Sequence, residues 1–159
     1  MTLFLLFTQS DFAQIMKKTT DAVKYSNSGF SFTFTPLIND NDCYLIVSMV
    51  SGENTFTKTP IIKIRTFGDQ IVELEGEIIN DKKSTAGIIV SGVFLPVESY
   101  TSIAQFKIDE ETFQLLKMGI KKFHVMAVPR SFTKEFKKDK FGFKIYDMLY
   151  KAKERKEEF

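Results

Sequence analysis

The chain is poor in the residue types from which most enzyme and metal sites are built. Its 159 residues include one cysteine, one histidine and no tryptophan. Cys43 alone cannot form an internal disulfide or a cysteine-based zinc cluster, and a single imidazole excludes the histidine pair of many zinc sites. The sequence therefore predicts no metal ion and no cofactor, and the lone cysteine suits a reducing compartment.

Nucleotide-binding and catalytic motifs are also absent. Glycines at 76, 87 and 92 lie within apolar runs and lack the spacing of a phosphate-binding loop. Ser91 lacks the surrounding GxSxG elbow, and any serine–histidine–aspartate set would depend on His124. A structural or solvent-edge role is favoured for His124 over that of a catalytic base. The sequence therefore predicts no enzymatic activity.

Long hydrophobic runs are missing from the N-terminus. The run from Leu3 to Phe7 is five residues long and follows no basic segment. A signal peptide needs an apolar region of about 7–15 residues, and a membrane-spanning helix needs about 20. This segment is predicted as a strand or as the lead-in to a helix. The chain is predicted to be cytoplasmic, with no membrane partner.

A strictly alternating segment between residues 71 and 78 carries the strongest structural signal. Small or apolar residues at the even positions 72 to 78 alternate with glutamates at 73, 75 and 77. Because successive side chains of a strand point to opposite faces, the segment is predicted as a strand with one buried and one solvated face. An acidic row can gather a divalent cation, but a charge-paired solvent face is favoured, since basic residues precede it on a neighbouring strand.

That neighbouring strand, residues 61–65, is predicted to form a hairpin with the alternating segment. A three-residue loop at 68–70 places Ile64 opposite Leu74 on the apolar side and selects one register. In this register the charged pairs are Arg65 with Glu73 and Lys63 with Glu75. Each cross-strand pair contributes about 0.2–1 kcal/mol.

Two further runs are apolar on both sides and are predicted as fully buried strands. The first spans Cys43 to Val50, and the second spans Ile88 to Leu95. Polar residues 80–85 are predicted as a turn before the second run, and Gly87 and Gly92 suggest a bend or bulge. Pro36 and Pro96 are predicted to end strands.

These elements predict an α+β domain with mainly antiparallel strands. Too few residues separate the strands between 30 and 108 for crossover helices, so a sheet of about 7–8 strands folded as a sandwich or open barrel is favoured. Helices are predicted to pack outside it at roughly 11–25, near 109–118 and from Phe141 onward. Residues 1–159 are predicted to form a single domain with a frayed tail at 153–159.

The C-terminal region is the one strongly basic part of the chain. The net charge is +2 overall, but residues 130–159 contain ten Lys/Arg against six Asp/Glu. The candidate nucleic-acid-binding residues are Arg130, Lys134, Lys137, Lys138, Lys140 and Lys144, interleaved with Phe132, Phe136, Phe141 and Phe143. Basic and aromatic side chains together can follow phosphates and stack on bases. The rings also occupy positions that a packing helix buries, so a solvated helix face is the favoured interpretation.

The function predicted from these features is that of a small interaction module that binds a protein partner. Nucleic-acid binding through the basic region is the first alternative. Binding of an apolar small ligand inside a β-barrel is the second, and it is suggested by the phenylalanines at 30, 32 and 34. A homo-oligomer stays open.

Overall fold

The computed structural model describes residues 22–157, which form ten strands and two helices. The strands are β1 (Val23–Asn27), β2 (Phe30–Asn39), β3 (Asp42–Ser51), β4 (Thr55–Phe56), β5 (Ile61–Arg65), β6 (Ile71–Val90), β7 (Val93–Ile108), β8 (Lys122–Val125), β9 (Ala127–Val128) and β10 (Phe132–Glu135). The helices are α1 (Glu110–Leu116) and α2 (Phe141–Glu157).

Eight strands form one antiparallel sheet in the order β1-β2-β3-β7-β6-β5-β8-β10, and β4 pairs separately with β9. The sheet curls until its two ends face each other. The ring centroids of Tyr25 on β1 and Phe132 on β10 are 6.1 Å apart. The prediction of a mainly antiparallel β domain with helices is confirmed, in the form of a curled half-barrel.

The core lies inside this curl, and phenylalanine is its most frequent residue. Alternate residues of β2, Phe30, Phe32 and Phe34, are buried and contact rings from the opposite end of the sheet. Phe123 on β8 is at the centre, with its ring 5.6 Å from that of Phe32. The phenylalanine stripe of β2 therefore fills the core by ring packing.

Both described helices lie where the sequence placed them. Asp109 is the N-cap of α1 and accepts a hydrogen bond of 2.7 Å from the backbone N–H of Thr112. Helix α2 covers β1 and β2 and buries the predicted stripe, whose buried members are Phe141, Ile145, Met148 and Leu149. Lys153 on α2 pairs with Glu110 on α1 at 2.7 Å. Helix α2 continues to Glu157. The fraying of residues 153–159 stays a prediction.

The helix predicted at 11–25 is wrong over residues 23–25, the part of its end that lies in a described strand. Residues 11–21 of the predicted helix, and the predicted segment Leu3 to Phe7, lie outside the described residues. The last part of that helix is instead strand β1, which pairs with β2. A two-residue turn joins the two strands, with φ of 52° at Ser28 and 81° at Gly29. Positive φ at both central positions matches the natural twist of a hairpin, so the turn favours pairing over a helix.

The β5–β6 hairpin has the predicted faces but a different register. Glu73, Glu75 and Glu77 are exposed, whereas Val72 and Leu74 are buried, as the alternation predicts. The strands, however, pair Arg65 with Ile71, Ile64 with Val72 and Lys63 with Glu73. The shift of two residues keeps every side chain on its predicted face and removes the predicted pairs of Arg65 with Glu73 and of Lys63 with Glu75.

The loop of this hairpin explains the shift. It contains five residues, 66–70, rather than three. The backbone N–H of Thr66 donates to the Gln70 carbonyl at 2.9 Å, and the Thr66 hydroxyl accepts from the Gln70 N–H at 3.2 Å. Asp69 has a φ of 60°. These contacts close a wider turn around a fully buried Thr66.

Other strand boundaries differ in detail. Strand β3 lies between β2 and β7, which confirms the central position predicted for Cys43 to Val50. Pro36 does not end its strand but continues β2 opposite Leu45. Neither helix of the described chain has the length and hydropathy needed to cross a membrane.

Candidate functional site

A long hairpin formed by β6 and β7 leaves the body of the domain. Residues 80–85 are not a turn, and the run from Ile88 to Leu95 is not a buried strand; both predictions are wrong. Strand β6 continues through the polar residues to Val90, and β7 returns from Val93, paired with it residue by residue. We call residues 79–99 the hairpin arm and residues 86–97 its apolar tip.

The arm reverses direction at Ser91 and Gly92, with φ values of 51° and 76°. Two central residues with positive φ are typical of a type I′ turn, which joins hairpin strands with the correct twist. A Ser-Gly pair between two apolar runs of similar length is a recognisable hairpin signal. The prediction of one buried strand over 88–95 did not use this turn signal, and it therefore failed to identify the arm.

The arm is exposed because its neighbours in the sheet stop short of it. Strand β5 pairs with β6 only as far as Glu75, and β3 pairs with β7 only as far as Tyr100. Among residues 22–157, β6 and β7 pair only with each other beyond these points. At about 3.4 Å per residue, the eleven residues 80–90 of β6 span roughly 35 Å. Within the part of the chain that the structure describes, both outer edges of the arm therefore carry backbone groups with no strand beside them.

A β-bulge at the base sets which side chains share each face of the arm. The register shifts between Ile78 and Asn80, so Ile79 has no partner across the ladder. Beyond it, Asn80 pairs with Ile103, and the pairing continues without a break to Val90 and Val93. Because successive pairs alternate between faces, the tip has one face of three apolar pairs. These pairs, which we call the outer tip face, are Ala86 with Val97, Ile88 with Leu95 and Val90 with Val93.

The tip concentrates exposed hydrophobic side chains. Seven of the fourteen exposed large hydrophobic residues in the described chain lie between positions 88 and 97. They are Ile88, Ile89, Val90, Val93, Phe94, Leu95 and Val97, with exposed fractions of 44% to 76%. Scattered exposed apolar residues are normal on a protein surface, but a contiguous group marks an interaction site.

The opposite face of the tip has two cross-strand pairs, one of which contains a glycine. Ile89 pairs with Phe94, and Gly87 pairs with Pro96. A side chain at Gly87 would overlap the Phe94 ring, so glycine lets this ring lie flat across the neighbouring strand. The proline carries no N–H, which removes one exposed hydrogen-bond donor from the edge of β7.

Polar contacts fix the base of the arm to the domain. The carboxylate of Asp81 accepts a hydrogen bond from the buried hydroxyl of Ser102. The same hydroxyl accepts a hydrogen bond of 3.1 Å from the backbone N–H of Phe56 on β4. Further along, Lys83 forms an ion pair of 3.0 Å with Glu98 across the strands. The stalk of the arm is therefore polar and tied to the body, and the apolar side chains gather at the far end.

The predicted nucleic-acid-binding residues fall into two groups. Arg130 precedes β10, where its guanidinium lies 5.4 Å from the centre of the Phe30 ring, and its backbone N–H donates to Asn54 Oδ1 at 2.9 Å. Lys134 lies on β10 and is half-buried. At the other end of that strand, the exposed lysines are Lys137, Lys138, Lys140 and Lys144.

The aromatic residues between them are mostly committed to the core. Phe132 and Phe141 are buried, and the Phe136 ring stacks on Phe141 with centroids 5.2 Å apart. Phe143 is 63% exposed and lies next to Lys144 on α2. One ring of the four is thus free to contact a base.

The single cysteine is placed as a core residue. Cys43 is buried, and this burial raises the pKa of its thiol to about 11, so the thiolate is disfavoured at neutral pH. The nearby Lys153 lowers this pKa and Glu110 raises it, both less than burial does. Within the described side chains of residues 22–155, no group of three or more histidine, cysteine, aspartate or glutamate residues could hold a metal ion.

No family model matches this chain, and no curated protein or solved structure matches it significantly.

Proposed function

We propose that this chain is a non-enzymatic, cytoplasmic interaction module that binds a protein partner through the tip of its hairpin arm. The observation that carries the proposal is the concentration of seven exposed hydrophobic side chains within ten residues at the tip. Hydrophobic surface of this kind is removed from water when a complementary protein surface covers it.

The shape of the arm supports a protein as the partner. The outer tip face is a two-stranded ladder of aliphatic pairs, which suits insertion into an apolar groove. The unpaired edges of the arm can also add a strand from the partner by backbone hydrogen bonds, a mode in which side-chain pockets supply specificity. Because the ladder is formed before binding, less conformational entropy is lost than for a loop that must be ordered.

Nucleic-acid binding is the alternative, and it rests on the exposed lysines beside Phe143. It predicts that affinity for a single-stranded oligonucleotide falls steeply with salt and is lost when Lys137 and Lys138 are both changed to glutamate. An affinity that does not respond to either change removes this alternative. The apolar-ligand alternative has less support, since the rings at 30, 32 and 34 pack against other rings.

The test is a comparison of two variants in affinity capture from an extract of the native host. Ile88→Glu with Leu95→Lys replaces one apolar pair of the tip by an ion pair, which keeps the cross-strand pairing and the net charge. The matched control is Ser84→Glu with Ser99→Lys, a pair on the same face of the arm but in its polar stalk.

We expect the tip variant to lose its captured protein by about tenfold or more, since a central interface residue contributes about 2 kcal/mol or more. The stalk variant should retain the same protein. Capture by the tip variant at the wild-type level contradicts the proposal. So does binding of the wild-type chain, but not the tip variant, to vesicles of phosphatidylcholine and phosphatidylserine, since the tip would then contact lipid.

A further inference from the structure

A second surface, far along the sheet from the arm, collects positive charge. It lies on the outer face of β5 and β8, opposite the core residues Ile62, Ile64 and Phe123. Register places Lys63 beside His124 and Arg65 beside Lys122, and residues two apart on a strand share a face. We call Lys63, Arg65, Lys122 and His124 the basic quartet.

Positive charges this close repel each other unless anions lie between them. Like charges directly opposite on neighbouring strands are destabilising. Lys63 is partly neutralised by Glu73, with Nζ and Oε2 3.6 Å apart. Among the side chains that the structure describes, those of residues 22–155, Arg65 and Lys122 have no ion pair or side-chain hydrogen bond. Glu135 lies opposite Lys122 in register, yet no carboxylate oxygen comes within 4.0 Å of Nζ.

The quartet lines a shallow, open pocket. The pocket has a volume of about 240 Å³ and is lined by the four basic residues together with Ile64, Ile71 and Thr133. Drug-sized ligands occupy pockets of about 300–1,000 Å³, so this one suits a smaller molecule. Ile71 is 64% exposed and offers an apolar contact beside the charged groups.

The imidazole of His124 is held in place at the pocket. Its Nδ1 is 2.6 Å from the hydroxyl oxygen of Thr133, and this hydrogen bond leaves Nε2 for a ligand. Burial is the main cause that lowers the pKa of His124, and Lys63 and Lys122 lower it further. The protonated imidazole is thus disfavoured by its neighbours, and a bound anion would offset this effect.

We propose that the basic quartet binds the phosphate group of a small phosphorylated molecule, whose carbon skeleton contacts Ile71. A planar guanidinium donates two parallel hydrogen bonds to phosphate oxygens, and two ammonium groups and one imidazole supply the remaining donors. The proposal does not depend on the hairpin arm, which lies at the other end of β6.

His124 is the chain's one histidine, so a histidine ring signal in the proton spectrum reports on this pocket alone. Proton NMR at constant pH would follow these signals during titration with inorganic phosphate or glucose 6-phosphate. Sodium chloride at matched ionic strength is the control for general screening. We expect saturable shifts with both phosphates and none with chloride, with glucose 6-phosphate binding more tightly because of Ile71.

Three variants locate the site. Lys122→Ala and Arg65→Ala should each weaken phosphate binding by up to about fivefold, the upper range for exposed ion pairs, and Lys122→Arg should restore it. Lys24→Ala is the matched control, since it removes an exposed lysine from β1, which the strand order separates from β5 and β8. Equal shifts with chloride and phosphate, or unchanged binding by Lys122→Ala and Arg65→Ala, would overturn the proposal.

Discussion

Replacing Leu95 by alanine tests whether the hairpin arm is exposed or packs against the domain. The side chain of Leu95 is 44% exposed, whereas that of Leu74, on the paired strand, is 4% exposed. Leu74→Ala leaves a cavity in the core and should cost about 2–5 kcal/mol. Leu95→Ala removes only part of the cross-strand contact with Ile88, so its cost should stay below about 1 kcal/mol.

Urea unfolding measures both values on one scale. With a slope of about 2 kcal/mol per molar urea, the midpoint should fall by roughly 1–2.5 M for Leu74→Ala and by less than about 0.5 M for Leu95→Ala. A Leu95 variant as unstable as the Leu74 variant, with an unchanged slope, refutes the exposed arm. If Leu95→Ala lowers the urea midpoint only at high protein concentration, the partner of the tip is a second copy of this chain.

Two predictions concern the body of the domain. A side chain at Gly76 would lie 2.7 Å from Phe106 Cδ1 and closer still to a backbone carbonyl. Gly76→Ala should therefore lower the free energy of unfolding, measured in urea, by about 1–3 kcal/mol. Gly52→Ala is the control and should leave this free energy unchanged, because the space around Gly52 is open. Burial raises the pKa of Cys43 from 9.0 to about 11, so the folded state keeps its proton in a range where the unfolded state loses it. Stability should therefore fall as pH rises from about 9 to 11, and Cys43→Ala should make this fall smaller. The raised pKa of Lys83 contributes to the fall in both proteins, so an identical pH dependence in the variant contradicts the assignment.

Much of the body could be predicted because local pattern and burial agree there. The alternation between residues 71 and 78 correctly identified the buried and solvated faces of β6. Helical spacing from Phe141 to Leu149 identified the buried stripe of α2. The register of the β5–β6 hairpin failed because it depends on hydrogen bonds from Thr66 within the loop, which pairing of charges does not reveal.

The arm could not be inferred from hydrophobicity alone. Ile88 to Leu95 is apolar on both faces, a pattern shared by a central strand buried in its own domain and by a surface reserved for another molecule. Only the Ser91-Gly92 turn distinguishes the two structures. The basic quartet could not be predicted for another reason. Arg65 and Lys122 are neighbours only because β8 pairs with β5, although the two strands are far apart in the sequence.

Site-specific photo-crosslinking tests the role of the arm most directly. A photoreactive phenylalanine analogue would replace Phe94 at the tip in one variant and Phe143 on α2 in the other, two rings that are 67% and 63% exposed. Irradiation in host cells, followed by mass spectrometry, identifies what lies against each position. The proposed function predicts a protein adduct at position 94 and none at position 143. No adduct at position 94, together with a nucleic-acid adduct at position 143, would contradict it.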